Sequence, residues 1–155
     1  MFHRVTLIGR VGQEPQMRYT PDGVPVTNFS VATTQTISKE RTPECPAGWK
    51  ESYNGRNWEL TTWWRVTCWR GLAETVNQYL SKGRQVFVEG EVSGENRDGQ
   101  QWPRIYTAND GTVRAANYEI TARMVKFLGS PGETVAGPPT GEPPPEGFEE
   151  DELPF

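Results

Sequence analysis

The stretch Trp58-Glu59-Leu60-Thr61-Thr62-Trp63-Trp64-Arg65-Val66-Thr67-Cys68-Trp69-Arg70 holds the residues best suited to chemistry. Read as a strand, its side chains point to opposite faces in turn. Leu60, Thr62, Trp64, Val66 and Cys68 then share a core face. The other face carries Glu59, Thr61, Trp63, Arg65, Thr67 and Trp69, polar apart from two indoles. Two uncovered indoles on a solvated face would be a liability, so this face reads as an interface. Flat rings beside a cation are what unpaired bases stack on, each worth about 1–3 kcal/mol, while Arg and Lys follow the phosphates. The other reading has Trp63 and Trp69 covered by a long loop or a second subunit.

Two long connections extend the same surface. Residues 38–57 contain Lys39, Arg41, Trp49, Lys50, Tyr53 and Arg56, and residues 94–114 contain Arg97, Trp102, Arg104, Tyr106 and Arg114. Aromatics interleaved with cations and glycine suit a mobile flap that closes on a flexible strand. The alternative is a solvated loop whose aromatics pack locally.

Catalysis finds no support. There is no Gly-x-x-x-x-Gly-Lys-Ser/Thr cradle for a nucleoside triphosphate. The single histidine, His3, stands at the extreme N-terminus, where no nucleophile constellation can be built around it. Cys45 and Cys68 are not a Cys-x-x-Cys pair, and with His3 they fall short of a zinc ligand set. Glu89 and Glu91 share a strand face without a visible metal partner. No cofactor or metal is expected, and the chain reads as no enzyme. An intracellular setting argues for two free thiols over a disulfide, with Cys68 a small core residue.

The elements that must position these residues are five strands and one helix. Strands are expected at about 2–12, 24–37, 58–70, 84–93 and 115–128. A turn is expected at Pro21-Asp22-Gly23. In the second strand the apolar phase moves from Val24/Val26 to Phe29/Val31, which predicts a bulge near Thr27-Asn28. Between strands three and four, Leu72, Val76, Tyr79 and Leu80 define one face of a helix over 71–82, with Gly83 just past its end. Strand four is expected to alternate Val86, Val88 and Val92 inward, and strand five Tyr118, Ile120, Ala122 and Met124. This order predicts an all-β, five-stranded OB-fold barrel with one short helix, although the spacing alone also permits other small barrels.

The net charge of −4 averages two unlike parts. Seven of the 20 acidic residues and none of the 16 basic ones lie in 130–155, which leaves residues 1–129 mildly basic. Seven of the 13 prolines fall there too, and apolar side chains are scarce until the end, so residues 130–155 read as a disordered acidic tail. Residues 1–129 are the expected folded domain. The tail ends in Glu150-Asp151-Glu152-Leu153-Pro154-Phe155, acids followed by apolar anchors, which suits a protein-interaction tip. No run approaches the roughly 18–20 apolar residues of a membrane span, and no signal peptide is evident. A cytoplasmic protein is expected.

Several pieces resemble one family. Leu7-Ile8-Gly9-Arg10-Val11-Gly12, Glu14-Pro15 and Met17-Arg18-Tyr19-Thr20-Pro21-Asp22-Gly23 are similar to the opening of bacterial-type single-stranded DNA-binding proteins. The likeness continues through Asn28-Phe29-Ser30-Val31-Ala32-Thr33 and Trp63-Trp64-Arg65-Val66, then Leu72-Ala73-Glu74, Tyr79-Leu80-Ser81-Lys82-Gly83 and Val86-Phe87-Val88-Glu89-Gly90. The terminus resembles the family's acidic tip closing in Ile/Leu-Pro-Phe. The resemblance spans about residues 2–37, 60–93 and the last six.

It implies an OB-fold homotetramer that binds and protects single-stranded DNA without sequence preference in replication, repair and recombination, associated with the nucleoid. It places Trp63 and Trp69 at stacking positions and Arg18, Arg65 and Lys82 on the DNA path. The tip would dock on exonucleases, helicases and the replicase. Arg10, Arg70, Arg84, Arg97, Trp102 and Trp49 complete the expected contact set. The chain also departs from the pattern. Ile37 stands where the family has an aromatic, with Trp49 or Trp58 from the longer 38–57 segment as its replacement. Arg97 stands near another aromatic position, with Trp102 close by, and Trp64 replaces a smaller polar ring near a subunit contact. A second function class is an OB-fold module that binds proteins or structured RNA through its tryptophans.

Overall fold

Period-two alternation becomes an inward row as soon as strands pair. β1 (Val5–Val11) buries Leu7 and Val11 and turns Thr6 and Ile8 outward. The computed structural model describes residues 3–97, 99–107, 113–116 and 118–129. After β1 come β2 (Gln16–Tyr19), β3 (Pro25–Ser38), β4 (Lys50–Glu51), β5 (Asn57–Trp69) and α1 (Gly71–Tyr79). Then follow β6 (Gln85–Ser93), β7 (Glu95–Arg97), β8 (Gln100–Trp102), β9 (Ile105–Thr107), β10 (Val113–Ala116) and β11 (Tyr118–Phe127).

The main sheet runs β2-β3-β1-β6-β11-β5-β4, and β3 also pairs with β5. That extra pairing closes β3, β1, β6, β11 and β5 into a barrel. Its pairs are antiparallel except β5 with β11, which is parallel. A closed five-stranded barrel with a helix between its third and fourth strands is the expected OB-fold. Val11, Val31, Val66, Val86, Val88 and Ile120 fill it, each at most 1% exposed. Each such side chain contributes about 1.5–3 kcal/mol by leaving water.

The predicted bulge at Thr27-Asn28 is not there. The β3–β5 register runs unbroken from Val26↔Trp69 to Ser38↔Asn57. Thr27 is itself a core residue, fully buried, and its hydroxyl donates to the Ala73 carbonyl at 2.8 Å. A polar residue in an inward position looked like a phase change. The bulge that shapes the barrel lies in β11, between Ala122 and Met124 against β6. It reverses the phase of the strand, so Val125 and Phe127 pack on the core while Met124, expected inside, is exposed. Val92 and Tyr118, also expected inside, are exposed, Val92 where β6 runs past the core and Tyr118 at the start of β11.

α1 buries Ala73 and Val76, and Leu80 follows them, whereas Tyr79 of the predicted face is exposed. The helix stops earlier than expected, with Leu80 already extended at its C-cap. Gly83 serves the next turn instead, at φ 83°, donating its N–H to the Val11 carbonyl at 2.7 Å. The turn at Pro21-Asp22-Gly23 joins β2 to β3, with Gly23 at φ 77° and its N–H on the Thr20 carbonyl at 2.8 Å. Among the described residues no helix is long and apolar enough to cross a membrane. Residues 130–155, tip included, lie outside the described residues.

Candidate nucleic-acid interface

Four strands lay out the candidate face. Arg10 of β1 stands opposite Ala32 of β3, which stands opposite Trp63 of β5. Arg18 of β2 stands opposite Val26 of β3, which stands opposite Trp69. Directly opposed residues share a face, and neighbouring strands lie about 4.8 Å apart. Each tryptophan therefore has an arginine in its own row two strands away, with a small or aliphatic residue between. Ser30↔Arg65 and Asn28↔Thr67 fill the space between these rows, and the Thr67 hydroxyl donates to Asn28 Oδ1 at 2.9 Å.

The two indoles are held differently. Trp69 is 43% exposed at the end of β5, beside Arg70. Arg70 takes φ 56°, the left-handed region, as the strand turns into α1, and its own side chain is exposed. Trp63 is half-buried because its six-membered ring lies against Gly12. A Cβ on Gly12 would come within 2.3 Å of Trp63 Cζ3 and 2.8 Å of Ser30 Oγ. Gly12 also donates its N–H to the Ser30 carbonyl at 3.0 Å. Ser30 Oγ is buried there with no hydrogen-bond partner among the described residues. The absence of a side chain at Gly12 is what lets the indole lie down. In residue order the one sign of this role is a glycine ending an apolar strand.

Other expected residues separate into near and far. Arg10 Nη1 donates to the Gly83 carbonyl at 3.2 Å, which brings it beside exposed Lys82. The Lys82 N–H in turn donates to Glu14 Oε1 at 3.1 Å. Arg84 is turned to the fold instead: Nη1 donates to the Tyr79 carbonyl at 2.9 Å and its guanidinium sits 4.9 Å over the Phe127 ring. Trp64 is inward, donating from Nε1 to Thr33 Oγ1 at 2.9 Å and lying 5.1 Å from the Tyr118 ring.

Arg97 and Trp102 stand on a separate two-stranded arm, β7–β8, where Trp102 opposes Glu95 and is 53% exposed. Arg97 binds Glu95 Oε2 at 2.6 Å, and that hydrogen bond holds the Glu95 carboxyl below its usual value. Arg104 Nε lies 3.7 Å from Glu119 Oε2. The side chains of Tyr106 and Arg114 lie outside the described residues.

The 38–57 segment, expected as a flap, is folded. Trp58 Nε1 donates to the Thr42 carbonyl at 2.7 Å and Lys39 Nζ sits 4.3 Å over its ring. Lys39 also pairs with Glu51. Trp58 thus pins the loop, and it does so directly opposite Ile37 of β3. Trp49 is half-buried at a tight turn, its N–H on the Pro46 carbonyl at 3.1 Å. Burial pushes the Cys68 thiol from 9.0 up to about 12, while Cys45 is exposed. Among the described residues no group of three or more His, Cys, Asp or Glu is placed to hold a metal.

Comparison with known proteins agrees with this geometry. Residues 2–128 match the model of the Single-strand binding protein family. The single-stranded DNA-binding protein of Neisseria meningitidis serogroup A is 39% identical over 140 residues, 90% of this chain and 67% of the relative. Single-stranded DNA-binding protein 1 of Xylella fastidiosa is 35% identical over 127 residues, 82% and 77% of the two chains. A Plasmodium falciparum SSB in complex with ssDNA shares the fold at TM-score 0.55 and 22% identity, covering 83% of this chain and 96% of that one. A deletion mutant of the Thermus aquaticus single-stranded DNA binding protein gives TM-score 0.52 at 22% identity, covering 83% and 51%. With the whole barrel inside the family match and relatives of this identity along most of its length, the chain belongs to the single-strand binding protein family.

Proposed function

We propose that the protein binds and protects single-stranded DNA without sequence preference, serving replication, repair and recombination in the cytoplasm at the nucleoid. One observation carries this reading: the Arg10–Ala32–Trp63 and Arg18–Val26–Trp69 rows, which set a stacking surface beside a cation twice on one face. Bases stack on Trp63 and Trp69 while Arg10, Arg18, Arg65, Arg70 and Lys82 follow the phosphates, so any base is accepted because every base has a flat face. Arg97 and Trp102 on the β7–β8 arm and Trp49 add contacts further out. The protein acts by binding, not by turnover.

Residues 1–129 form the DNA-binding domain and 130–155 an acidic tail. The tip, Glu150 to Phe155, recruits replication and repair proteins, its acids meeting a basic rim and Phe155 an apolar pocket. Four copies assemble as a homotetramer. Support comes from the outer face of β1, β6 and β11, where Ile8 is 57% exposed opposite Phe87 and Met124 is exposed nearby, opposite Glu89.

Titration with oligothymidylate while following tryptophan emission tests the core of this. Strong quenching, with affinity falling steeply as salt rises, is expected. No quenching at low salt would reject it in favour of a protein interface. A solution mass measured beside the titration checks the tetramer. Deleting residues 150–155 should leave DNA affinity intact and abolish partner pull-down.

A further inference from the structure

We propose that the β4–β5 hairpin carries a third stacking position, at Tyr53, for an unpaired base of the same DNA strand. The proposal rests on single-strand binding by the β3–β5 face and lengthens the path beyond Trp63. Tyr53 is 100% exposed, yet its turn is held by a set of hydrogen bonds. Buried Ser52 donates its N–H to the Asn57 carbonyl and accepts the Gly55 N–H, both at 2.9 Å. Its hydroxyl accepts the Asn57 N–H at 3.1 Å and donates to Asn54 Oδ1 at 2.7 Å. Asn54 Oδ1 also accepts the Arg56 N–H at 3.0 Å, and Gly55 closes the turn at φ 69°. A ring presented on a frame that is already ordered loses little freedom when a base stacks on it.

The hairpin belongs to the barrel sheet, because β4 pairs with β5 as Lys50↔Glu59 and Glu51↔Trp58. Lys50 therefore joins the outward row of Glu59, Thr61 and Trp63. Along β5 six residues separate Trp69 from Trp63, and six more reach Asn57, about 20 Å each at the strand rise. The segment before β4 packs on the opposite side, where Thr42 and Lys39 hold Trp58 and Lys39 takes the charge of Glu51. Exposed Lys50 and Arg56 stand three residues to either side of Tyr53 as cations for the neighbouring phosphates.

Photo-crosslinking of the full chain to an oligothymidylate carrying iododeoxyuridine, followed by trypsin, tests this. Cleavage after Lys50 and Arg56 releases residues 51–56, in which Tyr53 is the only aromatic. Trp63 and Trp69 fall in residues 57–65 and 66–70. Adducts are expected on all three peptides, and Tyr53→Ala should weaken binding about fivefold while Tyr53→Phe retains it. Adducts confined to the two tryptophan peptides, or a Tyr53→Ala protein that binds as tightly as the parent, would overturn the third position and leave the β3–β5 face standing. A parent protein that neither binds nor crosslinks would sink both.

Discussion

Trp63 and Trp102 both offer indoles to solvent, and the protein supports them in opposite ways. Trp63 sits within the 13-residue β5, paired with β3 along its length and braced against Gly12. Trp102 ends the three-residue β8, which among the described residues pairs only with β7 in its own small sheet. Trp102 is the more exposed of the two, yet an isolated two-stranded ribbon is marginally stable and must be ordered by whatever it binds. Exposure alone is a poor guide to a platform. What the surroundings forbid the ring to do matters more.

Trp63→Ala should therefore cost the most, near the 3 kcal/mol upper end of a base-stacking contact, read by oligothymidylate titration with circular dichroism unchanged. Gly12→Ala sharpens the comparison by keeping the indole and removing its bed. An affinity loss of about 2 kcal/mol is expected together with a lowered Tm, since overpacking costs roughly 1–3 kcal/mol. An unmoved affinity would show that the bracing is irrelevant. Trp102→Ala should cost only about 1 kcal/mol of affinity, and a loss equal to that of Trp63→Ala would erase the distinction.

The smallest effect separates interior from loop. At pH 8 a thiol reagent should label Cys45 and leave Cys68 until the protein unfolds. Because folding raises the Cys68 value from 9.0 to about 12, the unfolded chain releases that proton first. Stability should fall as pH climbs through that window. Cys68→Ala should flatten the fall in alkaline Tm measurements.

Strands with unbroken alternation were legible, and β5 is the best case: its two faces follow directly from residue order. Positions where a small or polar residue takes an inward place were not. Thr27 hid a continuous phase, since a satisfied hydroxyl costs little inside the core. Ala73 hid the true face of α1, because its smallness is what lets the helix approach the barrel. Met124 was misplaced by a register shift in β11 that no property of β11 alone announces. The 38–57 segment looked like a flap because its order comes from contacts such as Trp58 with Thr42, 16 residues apart.

Residue order by itself determined which side chains share a face of each strand, since that period is built into the covalent chain. It also determined the separation of a basic body from an acidic tail. Which arginine stands beside which tryptophan was decided only in three dimensions. Those neighbours come from β1, β2, β3 and β5, and their registers are set by backbone hydrogen bonds and a shared core. Slipping one strand by a single residue would turn its outward row inside, so the site exists only once the barrel has closed.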